Sequence, residues 1–102
     1  MADRDYVVRD NPAKRRYELL FGDELVGEIL YRVKPGTVVL LHTEVDASVE
    51  GSGLGGRLVA DALDDIRSRG LTVVPLCPFV AAYIRRHPEY DDLVVRVPAI
   101  PT

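Results

Sequence analysis

Two periodicities divide the chain. Between Tyr6 and Val45 apolar residues recur at every second position or in short unbroken runs, whereas between Leu54 and Ile66 they recur at spacings of three and four. The first pattern belongs to strands and the second to a helix with one core-facing side. The pattern predicts a short strand at Tyr6–Asp10, broken by the turn residues of Asn11 to Lys14. Arg16–Phe21 and Leu25–Val33 follow as two arms of a hairpin turned at Gly22-Asp23, so the first strands form an antiparallel meander. Pro35-Gly36 turns the chain again. Thr37–Val45 then carries Val38, Val39, Leu40 and Leu41 without a polar interruption, which predicts a central strand covered on both faces. A strict period of two puts His42 and Glu44 on the face of Val38 and Leu40.

Leu54, Leu58, Val59, Ala62, Leu63 and Ile66 define the buried side of the first helix, with Arg57, Asp61, Asp64, Asp65 and Arg67 opposite and Gly70 as the stop. Leu71–Leu76 reads as a short strand, and a strand-helix-strand unit of this length calls for a right-handed crossover and parallel pairing. Pro78 opens a second helix to about Arg86, closed by His87-Pro88. Leu93–Val97 reads as a last edge strand, through which a monomer could associate as a weak homodimer, and Pro98 and Pro101 mark a poorly ordered tail. The fold class is α/β (α+β): a mixed, mainly antiparallel sheet with one strand-helix-strand unit and two main helices, in a single domain 1–102 whose ordered core is about 6–94.

Composition narrows the function. A net charge of −3 on 102 residues supplies no field for nucleic acid, and no basic block supplies a local one. No apolar run reaches the ~20 residues of a membrane span, and the polar start M-A-D-R-D does not read as a signal peptide, so a cytoplasmic protein is expected. Cys77 is alone and the two histidines, His42 and His87, have no metal-ligand spacing, so no metal site is expected.

The chemistry concentrates at Ser48 to Ile66, where Gly51, Gly53, Gly55 and Gly56 lead directly into the helix. Backbone amides unshielded by Cβ atoms, together with the positive end of a helix dipole, make an anion site, so a phosphorylated ligand is expected. Gly51-x-Gly53-x-x-Gly56 matches the dinucleotide fingerprint, but five residues separate Val45 from Gly51 where that fold has a tight turn, and no acidic residue ends the strand at Leu76. No Lys-Ser or Lys-Thr pair follows the glycines, which excludes a Walker loop.

The meander, a strand ending H-T-E-V, the loop E-G-S-G-L-G-G, a strand ending P-L-C-P and the helix A-A-Y-I-R-R-H-P-E-Y together resemble the GNAT N-acetyltransferases. More narrowly, the chain resembles the small single-domain proteins of that superfamily, from about Tyr6 to Val94. The resemblance implies an acetyl-CoA site, with the pyrophosphate on the loop amides and the pantetheine arm between splayed parallel strands. The superfamily pattern (Gln or Arg)-x-x-Gly-x-(Gly or Ala) falls on Glu50, Gly53 and Gly55; Glu50 departs from it, and a carboxylate there does not help a pyrophosphate. Coenzyme contacts are accordingly expected from Val45, Gly51, Ser52, Gly53, Leu54, Gly55, Gly56 and Arg57, with Arg86, beside Arg85, toward the ribose phosphate. His87-Pro88 stands where the superfamily has a Gly-aromatic ending.

Transfer of an acetyl group from acetyl-CoA to an amine, a small molecule or a lysine, needs a base, a route for the acetyl group and a proton for the leaving thiolate. Cys77, at the N-terminus of the second helix where free amides favour thiolate, is the candidate acetyl carrier that the resemblance to the small proteins implies, with direct attack by the amine the commoner route in the superfamily. His42 is the candidate base, with Glu44 to orient it, and Tyr83 is the candidate acid. Each has a plainer reading: Cys77 as a small buried hydrophobe, His42 as a structural strand residue, Tyr83 as a packed aromatic. The alternative function is a coenzyme A or acetyl-CoA binding or sensing module without catalysis.

Overall fold

The computed structural model describes residues 5–95. Five strands, β1 (Tyr6–Asn11), β2 (Arg16–Phe21), β3 (Glu24–Lys34), β4 (Thr37–Val45) and β5 (Thr72–Pro75), form one sheet in sequence order. Helix α1 (Leu54–Ser68) crosses between β4 and β5, and α2 (Pro78–Arg86) follows β5. The first four strands pair antiparallel and β4 pairs parallel with β5, as a single helical crossover requires. All six apolar residues expected on the inner side of α1 are buried, from Leu54 to Ile66. They join Leu19, Ile29, Leu40, Val73, Val80 and Ile84 in one core. Among the described residues no helix is long and apolar enough to cross a membrane.

A bulge in β4 overturns the strict alternation. Tyr31 pairs with Leu40 but Leu30 pairs with His42, so Leu41 is an extra residue. Directly paired residues share a side of the sheet. Beyond the bulge Thr43 pairs with Ile29 and Val45 with Gly27 on the helix side, while His42 pairs with Leu30 and Glu44 with Glu28 on the other. His42 and Glu44 therefore do not share the face of Val38 and Leu40.

Coverage of both faces of β4 is also corrected. Val38, Val39 and Leu40 are buried, but α1 and α2 stand side by side on one face. The 3-10 turn after α2, Pro88–Leu93, holds them there: Tyr90 Oη donates to Asp64 (2.8 Å), and Arg67 donates twice to Asp92 (2.7 and 2.9 Å). The opposite face carries an ionic lattice in place of a second layer. Glu18, only 2% exposed, accepts from Arg9 (2.9 Å), Asn11 (3.1 Å) and Arg16 (2.6 Å), and Arg16 also reaches Glu28 (3.1 Å). Burial pushes the Glu18 carboxyl up, but these donors and the Arg16 charge outweigh it and hold the group below the ordinary carboxylate range.

Of the expected edge strand at Leu93–Val97, the described residues 93–95 show an isolated pairing beside β5 and no regular strand. Leu93 ends the 3-10 turn, and Val94 makes an isolated parallel bridge to Val73, with the Val95 amide donating to Val73 O (2.9 Å). The remainder of that segment and the tail lie outside the described residues.

Candidate active site

Pairing between β4 and β5 stops at Leu40 and Pro75. The amides of Leu76 and Cys77 both donate to Leu40 O at 3.0 Å, and the chain then turns away into α2. Leu41 to Val45 therefore run on without a paired strand on the β5 side, and the two strands part. Cys77 stands at this gap as the N-cap residue of α2, with Pro78 in the first turn. It is 2% exposed, and its side chain caps no helix amide. Its Sγ lies 3.2 Å from Thr43 Oγ1, on the helix side of the sheet.

The glycine loop closes one flank of the gap. Gly51 and Gly53 have φ of 77° and 86°, the left-handed region in which a Cβ costs roughly 1–2 kcal/mol. Gly53 is the N-cap of α1, and its carbonyl accepts the first helical bond, from Arg57 N at 3.1 Å. Ser52 Oγ donates to Val49 O and accepts from Leu54 N at 3.3 Å. The amides of Gly55 and Gly56, in the first turn, have no acceptor within the helix. A cavity of about 270 Å³ lies over them, lined by the loop glycines with Thr43, Val45, Val49, Glu50 and Phe79. This concavity has two free donors at one end and an apolar wall along its side, which fits a phosphorylated ligand with an uncharged arm.

Phe79, like Thr43 and Val49, is a site residue that the sequence did not single out. It is 43% exposed, one turn before Tyr83 on α2, and the i, i+4 spacing of the two rings was the available signal. Tyr83 lies against Gly56, and its ring stacks on His87 with centroids 3.9 Å apart at 13°. His87 Nδ1 donates to the Tyr83 carbonyl at 2.8 Å. Burial, followed by the charges of Glu89, Asp64 and Asp61, raises the Tyr83 hydroxyl above the ordinary phenol range, so it is protonated at neutral pH.

The other candidates are dispersed. His42 Nε2 is 3.2 Å from Glu44 Oε1, with both side chains exposed on the helix-free face. Arg57 pairs with Asp61 at 3.5 Å within α1. Arg85 and Arg86 are exposed in the last turn of α2, roughly 13 Å along the helix from Cys77. A second groove, of about 470 Å³, lies around the end of β3 and β4 and is lined by the carboxylates of Glu28, Glu44, Asp46 and Glu50, with no Lys or Arg. Thr43, Val45 and Glu50 line both grooves, so the free end of β4 is the partition between them.

Residues 16–93 match the family model described as GCN5-related N-acetyl-transferase, and the chain belongs to that family of acyltransferases. Solved structures agree on the fold. A GCN5-like protein from Staphylococcus aureus, solved by NMR, superposes with a TM-score of 0.69 at 20% identity over 93% of both chains. The ribosomal-protein-S18-alanine N-acetyltransferase from Escherichia coli gives 0.57 at 16% identity, covering 85% of this chain and 54% of its own. Ard1 from Thermoplasma volcanium gives 0.53 at 21% identity, covering 80% and 57%. The chain thus spans little more than half the length of the latter two. Comparison with curated proteins finds no match.

Proposed function

We propose that this protein transfers an acetyl group from acetyl-CoA to an amine. The observation that carries the reading is the parting of β4 and β5 beside the two free amides of Gly55 and Gly56. Those amides and the α1 dipole receive the pyrophosphate. The arm then follows Phe79 and Val45 toward Thr43 and the gap, bringing the thioester to the free end of β4.

The amine approaches from the helix-free face, where the groove bearing Glu28, Glu44, Asp46 and Glu50 suits a cation. Its nitrogen attacks the thioester carbonyl, His42 takes the released proton directly or through water, and the C–S bond breaks. Tyr83, protonated at neutral pH, returns a proton to the departing thiolate. Because His42 and Cys77 stand on opposite faces, direct attack is the better supported route. The buried thiol at the gap favours a second one, in which Cys77 exchanges its proton for the acetyl group, CoA leaves as the thiol, and the amine then removes the acetyl.

A thermal melt with acetyl-CoA, CoA and NADH in parallel tests the ligand. A ligand at about 100 times its Kd adds ~2.7 kcal/mol, and each kcal/mol moves the midpoint of a domain this size by roughly 4–8 °C. A shift with both coenzyme A forms and none with NADH is expected; no shift, or one with NADH alone, refutes the reading. Coenzyme A release with a panel of amines, above a heat-killed control, then separates a transferase from a binding module.

A further inference from the structure

Helix α2 and its C-cap residue present three rings at successive i, i+4 positions, Phe79, Tyr83 and His87. Two of them lie against the first turn of α1. A Cβ on Gly55 would stand 3.0 Å from Phe79 Cζ and 3.6 Å from Val45 Cγ2, and one on Gly56 would stand 3.4 Å from Tyr83 Cε2. Gly51 and Gly53 differ in kind: their φ is positive, and a Cβ on either would meet nothing within 4 Å. The loop needs glycine for backbone conformation at 51 and 53 but for closeness of approach at 55, while at 56 an added methyl would only touch the Tyr83 ring.

We propose that Phe79 and Tyr83 are positioning residues of the anion site, seating the first turn of α1 against α2, and that Gly55 is glycine to admit the Phe79 ring and not to admit the ligand. His87 backs the arrangement, since its ring stacks on that of Tyr83 and its Nδ1–H donates to the Tyr83 carbonyl. The amides that this packing orients, those of Gly55 and Gly56, are the two left free by the helix. The inference rests on the acetyl-CoA reading for the identity of its ligand, while the packing itself does not.

The test is a double-mutant cycle with Gly55→Ala, Phe79→Ala and the double variant, read by titration calorimetry with CoA and by urea unfolding. Each single change is expected to weaken CoA binding by about tenfold, and the double variant to bind within about threefold of Phe79→Ala, because the added methyl enters space the ring has vacated. In turnover, the KM for acetyl-CoA rises while kcat at saturation holds, and Phe79→Leu restores most of the affinity. Losses that multiply to about a hundredfold in the double variant would overturn the proposal, for Gly55 would then be required by the ligand. Phe79 is half-exposed, so its truncation leaves the core intact; urea midpoints confirm folding and report the 55–79 coupling without ligand. A wild-type chain that binds inorganic pyrophosphate but not CoA overturns only the coenzyme reading, and the cycle then runs on pyrophosphate. Binding of neither overturns both.

Discussion

Thr43 Oγ1 and Cys77 Sγ lie 3.2 Å apart where β4 and β5 separate, thirty-four positions apart in sequence. Among the described residues this is the only hydrogen bond of the Cys77 side chain, so the thiol is held at the gap by one hydroxyl. The covalent route predicts that Cys77→Ala lowers turnover about tenfold or more, whereas direct attack predicts a rate within about twofold of wild type, with CoA affinity held within about twofold in both cases. Steady-state rates with calorimetry check it; an unchanged rate removes Cys77 from the mechanism. Mass spectrometry after incubation with acetyl-CoA finds an acetylated Cys77 only if the covalent route operates.

His42 and Glu44 occupy the face opposite Cys77, toward the acidic groove. Substitution there should act on the acceptor: His42→Ala lowers kcat by about a hundredfold, and Glu44→Gln raises the KM for the amine, with the KM for acetyl-CoA unmoved in both. A rise confined to the acetyl-CoA KM would show that these residues serve the coenzyme instead.

Tyr83 keeps its proton past the ordinary phenol range, through burial and the neighbouring carboxylates of Glu89, Asp64 and Asp61. As the acid for the leaving thiolate it loses function only when it ionises, so kcat should hold up to at least about pH 10 and fall above it. Tyr83→Phe should lower kcat by about a hundredfold and abolish that alkaline limb. A limb that survives in Tyr83→Phe assigns it to another group.

Gly53 caps α1 with φ 86°. Gly53→Ala is therefore expected to cost roughly 1–2 kcal/mol, lowering the melting midpoint by about 4–16 °C, and to weaken CoA binding by misdirecting the first-turn amides. A midpoint and affinity equal to wild type would mean that the loop adopts another turn without loss.

Glu18 has a folded-state pKa below that of the unfolded chain, set by Arg9, Arg16 and Asn11 against the opposing effect of burial. The group binds fewer protons when folded, so its contribution is present above the unfolded value, near 4.3, and is lost as pH falls through the folded value. Glu18→Gln should cost about 1–3 kcal/mol at neutral pH and flatten the loss of stability below about pH 4. Urea unfolding at neutral and acid pH measures both slopes; identical slopes would show that other carboxylates govern acid unfolding.

The strands and helices were legible because their signals are local. The 3.6-residue period identified all six buried residues of α1, Pro78 marked the start of α2, and His87-Pro88 marked its end. The glycine loop was equally visible as a place where backbone amides are bare. The side of the sheet on which His42 stands was not legible, because a bulge at Leu41 is a property of pairing with β3 and leaves no mark on β4 alone. Nor was the division of the glycines: at 51 and 53 the need is conformational, while at 55 it arises from the Phe79 ring on α2, more than twenty residues along the chain.

The sequence by itself determined the order of elements, the parallel crossover and the helix start with free amides, since periodicity, caps and turn residues act between near neighbours. Only the tertiary structure decided that Thr43 meets Cys77, that His42 and Glu44 face away from both, and that Phe79 walls the cleft. Those relations depend on strand register and on the docking of α2 against α1, which close packing settles across long separations that no local pattern spans.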